Sequence, residues 1–106
     1  MYKIFLAEFP FTENSSQKSR PILQLTKPQG RYKIIVAAYI TSMKVQPLAG
    51  DVVLEKLNGT GLTKRSTIRL FKLANFAPQN LRGEIGVLPK NKIPEVKREL
   101  KKLFQT

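Results

Sequence analysis

Phe9-Pro10-Phe11-Thr12-Glu13, a polar run, and then Arg20-Pro21-Ile22-Leu23-Gln24-Leu25 read as a strand end, a polar loop and an arginine at the start of the next strand. Before this stretch, Tyr2 to Glu8 alternates. Tyr2, Ile4 and Leu6 share one face, and Lys3, Phe5 and Ala7 share the other, which predicts a strand covered on both sides. Pro10 ends that strand because proline removes a ladder donor. Thr12 to Ser19 has no apolar residue and reads as an exposed loop. Arg20-Pro21 then opens a second strand, Ile22 to Thr26, with the proline at the tolerated first position. An arginine is thereby held where a strand begins.

Working outward, Lys27-Pro28-Gln29-Gly30 is a turn, and Tyr32 to Ile40 is the longest apolar run. It predicts a central strand, and Val36-Ala37-Ala38-Tyr39-Ile40-Thr41-Ser42 carries it to an end on two hydroxyl side chains. An arginine and a hydroxyl pair, each fixed at a strand end, are suited to grip a phosphate. Pro47 to Gly50 reads as a loop and Asp51 to Lys56 as a short strand. Asn58-Gly59-Thr60-Gly61 reads as a tight turn, Asn-Gly being a strong hairpin signal. Ser66 to Asn75 and Glu84 to Leu88 are further strands, with a helical turn expected over Gln79 to Gly83. Ile93, Val96, Leu100, Leu103 and Phe104 trace one apolar stripe of a C-terminal helix. The expected fold is mainly β, a small barrel of five to seven mostly antiparallel strands closed by that helix. Residues 1–106 read as one domain, of a size that buries about 60–65% of the surface its unfolded chain exposes.

Charge bounds the partners. Nineteen Lys and Arg against seven Asp and Glu give a net charge of +12. A field of that sign attracts polyanions, so nucleic acid or an acidic protein is the expected partner. With no cysteine and no histidine, thiol chemistry is excluded and zinc loses its two usual ligand types. No metal or cofactor is expected. No apolar run approaches the roughly 20 residues that span a bilayer, and Met1 runs directly into a strand-like segment. The expected compartment is the cytoplasm, with no membrane partner.

The ordered set of motifs resembles the MazF/PemK family of toxin endoribonucleases. It comprises Phe9-Pro10-Phe11-Thr12, Arg20-Pro21-Ile22-Leu23, Ala38-Tyr39-Ile40-Thr41-Ser42 and Gly50-Asp51-Val52-Val53-Leu54. Gly61-Leu62, Ser66-Thr67-Ile68-Arg69-Leu70, Lys72-Leu73 and Ile85-Gly86-Val87-Leu88 complete it. The resemblance implies an SH3-like barrel, a homodimer and metal-independent cleavage of single-stranded RNA at short sequences. It further implies an acidic antitoxin as partner, with operator DNA reached through the antitoxin complex. Arg20 matches the arginine of the family's Arg-Pro motif and Thr41 the threonine ending its third strand; these are the expected catalytic residues. Thr12, Glu13, Ser15, Lys18 and Ser19 lie in the family's RNA-contacting loop, and Ser42 follows Thr41 as in several relatives. With Arg69 they form the expected substrate contacts.

Two departures bear on chemistry. Phe71 stands where many relatives carry an aspartate, and the histidine found in the loop of some relatives is absent. The group that takes the 2′ proton is therefore open, with Glu13 the nearest loop carboxylate and Glu8 at the strand end. Arg65 and Arg69 read equally as cross-strand charges, Ser66 as a turn cap, and the basic helix face as a solvated one. Base stacking has Phe11, Tyr39 or arginine planes to draw on. The alternative function is a non-catalytic nucleic-acid-binding or topoisomerase-inhibiting protein on the same barrel. The chain ends Phe104-Gln105-Thr106 and lacks the Trp-Gly-Ile tail typical of the topoisomerase inhibitors.

Overall fold

The computed structural model describes residues 1–8 and 19–105. Six strands form one antiparallel sheet: β1 (Lys3–Glu8), β2 (Ser19–Gln24), β3 (Ile35–Thr41), β4 (Asp51–Leu54), β5 (Ser66–Phe76) and β6 (Leu81–Val87). Their order across the sheet is β4-β5-β3-β2-β1-β6. Helix α1 (Ile93–Leu103) follows. The mainly β fold with a C-terminal helix is the one the sequence predicted. Pro10, taken as the end of the first strand, lies outside the described residues.

The sheet curls because both its faces and its two edges find partners. The main core contains Ile4, Leu23, Ile40, Val52, Leu54, Ile68 and Leu70, all buried, with Leu88 and Val96 closing it. Ile93, Leu100 and Leu103 of the helix stripe pack against this core. Pro94 sits in the first turn of α1 with Glu95, and Lys101 and Lys102 sit in the last, the arrangement the helix dipole favours. Phe104 was expected to extend the stripe, but it is the C-cap, leaves helical geometry and is 63% exposed. The outward face of β1, β2 and β3 carries a second cluster: Ala7, Ile22, Ile35, Ala37 and Phe76, with Phe5 and Tyr39 against it. This is why β1 reads as apolar on both sides.

Closure comes from residues 55–65, between β4 and β5. The Asn58-Gly59 turn does not make a two-residue hairpin, since Leu54 already pairs with Ser66 across this longer excursion. Instead the turn folds over to the far edge strand, and Val87 N–H donates to Gly59 O at 2.9 Å. Thr60, fully buried, stitches the turn internally: its hydroxyl donates to Leu57 O at 2.6 Å and accepts from Leu62 N–H at 3.1 Å. Gly86 permits the contact, because a Cβ there would collide with the backbone of Gly59 and Thr60. Gly86→Ala is accordingly expected to destabilise by about 1–3 kcal/mol, as overpacking against rigid backbone does. Urea unfolding of the two proteins measures this, and equal midpoints would show that the turn shifts without cost.

Boundaries moved at several places. β2 runs Ser19–Gln24 where Ile22 to Thr26 was expected, so Pro21 lies inside the strand, and β4 stops at Leu54, short of Lys56. Tyr32 to Ile34 is not part of β3; Lys33 has φ 54° and its N–H donates to Gly30 O, so the chain is still turning there. The helical turn expected over Gln79 to Gly83 is a 3-10 turn, Pro78–Asn80, and Leu81 already starts β6.

Candidate nucleic-acid interface

The register of β2 on β3 builds the site. Ile22 pairs with Tyr39, Leu23 with Ala38 and Gln24 with Ala37, and the ladder stops there. The next residue of β2 is Pro21, which has no N–H to donate. Continued by two residues, the same register sets Arg20 across from Thr41. Each is held on its other side: Arg20 pairs with Ala7 of β1, and Thr41 with Thr67 of β5. Where the β2–β3 ladder ends, a cavity of about 310 Å³ is lined by Ser19, Arg20, Thr41, Ser42, Lys64 and Ser66, with Leu6, Ile40, Leu62 and Ile85 as apolar wall.

The polar groups in this cavity are arranged for an anion. Thr41 Oγ1 accepts from Met43 N–H at 3.2 Å, which leaves the hydroxyl proton to point elsewhere. Ser66, buried, donates to Lys64 O at 2.8 Å, fixing the backbone that carries the Lys64 ammonium. Arg20 and Lys64 are the charged residues of the described lining, and no carboxylate is among them. The result is a partly apolar cleft with two cations and a free hydroxyl proton.

The structure thus brings together Ser19, Arg20, Thr41 and Ser42 of the expected site residues. Thr12, Glu13, Ser15 and Lys18, together with Phe11, lie outside the described residues. Arg69 is not among the described residues that line the cavity. It is 6% exposed, and its Nε donates to Asp51 Oδ1 at 3.2 Å while Nη2 donates to Gln46 O at 2.7 Å. Asp51 Oδ2 in turn accepts from Leu48 N–H at 3.0 Å. This buried pair anchors residues 42–50, the segment that begins with the cavity residues Ser42 and Met43. Tyr39 is turned to the opposite sheet face, against the second cluster, so it does not offer a stacking platform in the cavity. Glu8 is ion-paired with Arg82 of β6, which leaves it a poor candidate base. Phe71 is 64% exposed, in the part of β5 where the register with β3 jumps between Ala38 and Tyr39.

Lys64 and Thr63 are functional candidates that sequence reasoning missed. Their signal was weak: they lie outside any strand, in a run, Leu62-Thr63-Lys64-Arg65, whose only visible message is positive charge. The fold over β6 is what carries them to the cleft.

The fold is a small, mainly β antiparallel sheet with a C-terminal helix, and its basic cleft opens where a strand pair parts. The family model for the PemK-like, MazF-like toxin of type II toxin-antitoxin systems matches residues 1–104, and the chain belongs to this family. Solved structures agree on the fold. The Mycobacterium tuberculosis toxin MazF-mt6 is similar with a TM-score of 0.75 and 24% identity, over 96% of this chain and 95% of that one. A mycobacterial endoribonuclease in complex with its cognate antitoxin is similar with a TM-score of 0.70 and 10% identity, over 95% and 89%. A further M. tuberculosis toxin structure has a TM-score of 0.65 and 25% identity, over 80% and 92%. Comparison with curated proteins finds no sequence match.

Proposed function

We propose that this toxin is a metal-independent endoribonuclease that cleaves single-stranded RNA at short sequences. The observation that carries the proposal is that Arg20 and Thr41 line one basic cleft, beyond the end of the β2–β3 ladder. RNA supplies its own nucleophile. The 2′ oxygen attacks the adjacent phosphorus, the bond to the 5′ oxygen breaks, and a 2′,3′-cyclic phosphate and a 5′-hydroxyl end result. The 2′ proton leaves to Glu13 or water, and the 5′ oxygen is protonated in turn. The barrier lies in the charge that builds on the phosphoryl oxygens. Arg20, charged at every relevant pH, forks onto two of them. Lys64 adds a second cation, and the Thr41 hydroxyl donates to the same group. Preorganised donors of this kind act without reorganising during the reaction.

In this reading an acidic antitoxin covers the cleft, two copies of the chain form a homodimer, and the toxin acts in the cytoplasm. Operator DNA is reached only through the antitoxin complex. Among the described residues no helix is long and apolar enough to cross a membrane. The lack of a carboxylate in the described lining favours one rival, RNA binding without cleavage. Incubating purified protein with a long RNA and a chelator separates the two. Discrete cuts ending in cyclic phosphate are expected, mapped by primer extension. A gel shift with intact RNA would favour the rival.

A further inference from the structure

Next to the cleft lies a second cavity of about 510 Å³, lined by Glu55, Lys56, Arg65, Asn91 and Lys92, with Val53 and Pro89 as its apolar part. Lys56, Arg65 and Lys92 face Glu55 there, and Glu95 pairs with Lys92 from beside the lining. The two cavities share a ridge. Lys64 and Ser66 line the cleft, while Arg65 between them lines the second cavity. Lys64 sits in a bend just ahead of β5 and Arg65 follows it directly, so two neighbouring residues present one cation to each cavity. A single Cα–Cα step of about 3.8 Å joins them.

We propose that this second cavity holds phosphates of the RNA strand that flanks the cleavage site. The inference rests on the ribonuclease reading and extends it to the substrate beyond the cut. The chain of cations, Arg20 and Lys64 and then Arg65, Lys56 and Lys92, gives a continuous path for a polyanion leaving the cleft. A phosphate strand needs only cations. Two acidic residues hold the site in its unloaded form. Glu55 Oε1 sits 3.2 Å from Arg65 Nε in an exposed pair, with side chains 72% and 64% accessible. Glu95 Oε1 sits 3.1 Å from Lys92 Nζ. Exposed pairs of the first kind are weak in water, so a phosphate can take Arg65 from Glu55. The cavity supplies length-dependent affinity and no base readout.

The test measures binding and cutting of two RNAs. One spans only the mapped cut site; the other extends it on both sides, and a 2′-deoxy version of each blocks cleavage for the binding assay. The double variant Lys56→Ala/Arg65→Ala is expected to bind the longer RNA about tenfold more weakly at low salt, with a salt slope smaller by about 1.4, as loss of two single-strand phosphate contacts requires. Its binding and cutting of the short RNA should match wild type. Glu55→Gln, which frees Arg65, should bind the longer RNA about two- to threefold more tightly. Lys27→Ala/Lys33→Ala, which removes equal charge from a separate cavity beside Phe5 and Leu81, should leave the salt slope unchanged. If wild type cuts both RNAs and the Lys56/Arg65 variant matches it on the longer one at every salt concentration, the inference is overturned and the function stands. Unchanged RNA binding with lost affinity for a glutamate-rich peptide would assign the cavity to a protein partner and overturn it as well. If wild type neither binds nor cuts either RNA, the ribonuclease reading itself fails.

Discussion

Arg20→Ala is expected to slow RNA cleavage by roughly 10²–10³-fold, the cost of removing one preorganised donor from a developing oxyanion. The loss should fall on kcat more than on KM, because the guanidinium is worth most when the phosphoryl oxygens carry their extra charge. Arg20 is exposed and lies where β2 has already lost its ladder to β3. Its side chain supports no core packing, so the thermal midpoint should stay within about 2–4 °C of wild type, surface substitutions being worth within ~0.5 kcal/mol. Arg20→Lys keeps a charge but loses the planar fork and should recover only part of the rate. Cleavage of a labelled RNA under single-turnover conditions reads this directly. A mutant cutting at the wild-type rate would place the reaction elsewhere.

The largest effect on stability is expected from Arg69→Ala. It leaves the Asp51 carboxylate, 15% exposed, without its partner, and Gln46 O without a donor. Removing one member of a buried pair typically costs 3–5 kcal/mol. The residual exposure of Asp51 puts this case at the lower end, about 3 kcal/mol, and a Tm fall of roughly 10–20 °C. The damage should also travel to function. Arg69 holds Gln46 O and orients the Asp51 carboxylate that accepts from Leu48 N–H, so the anchored segment loses one fixed point and the support of a second. That segment begins with Ser42 and Met43 on the cleft wall. At a temperature where the variant is still folded, cleavage should therefore be slower than wild type. Calorimetry and cleavage assays on the same preparation check both parts. A variant with unchanged Tm would show that the pair contributes nothing net. Full activity in a destabilised variant would separate the anchor from the cleft.

The two predictions lean on different layers of legibility. Arg20 could be singled out from the sequence because it stands where a polar loop gives way to an apolar strand, and because the ordered motifs match the family over nearly the whole chain. Thr41 and Ser42 were legible because an apolar run stops on them. The internal pairing of Arg69 was not legible, since in sequence it is one more cation in a basic alternating strand. Nothing local says that Asp51 lies opposite it, but the β4–β5 register does. The placement of Tyr39 was hidden in the same way. Aromatic character suggested stacking on bases, while the strand's period of two, counted from its partner Ile22, turns it to the other face.

What the sequence by itself determined is the set of elements and the sign of the field. Period-two alternation, turn residues and the apolar stripe over Ile93 to Leu103 are local signals, and each element reads them from its own neighbours. A net charge of +12 needs no structure to imply a polyanion. Tertiary structure alone decided which polar groups meet. The parting of β2 from β3 left Arg20 and Thr41 lining one cleft. The Gly59 contact with β6 brought Lys64 over the cleft, and the β4–β5 register withdrew Arg69 into an internal pair. These outcomes depend on strand pairing between residues distant in the chain. A shift of one residue would exchange every inward and outward side chain while leaving composition and periodicity untouched.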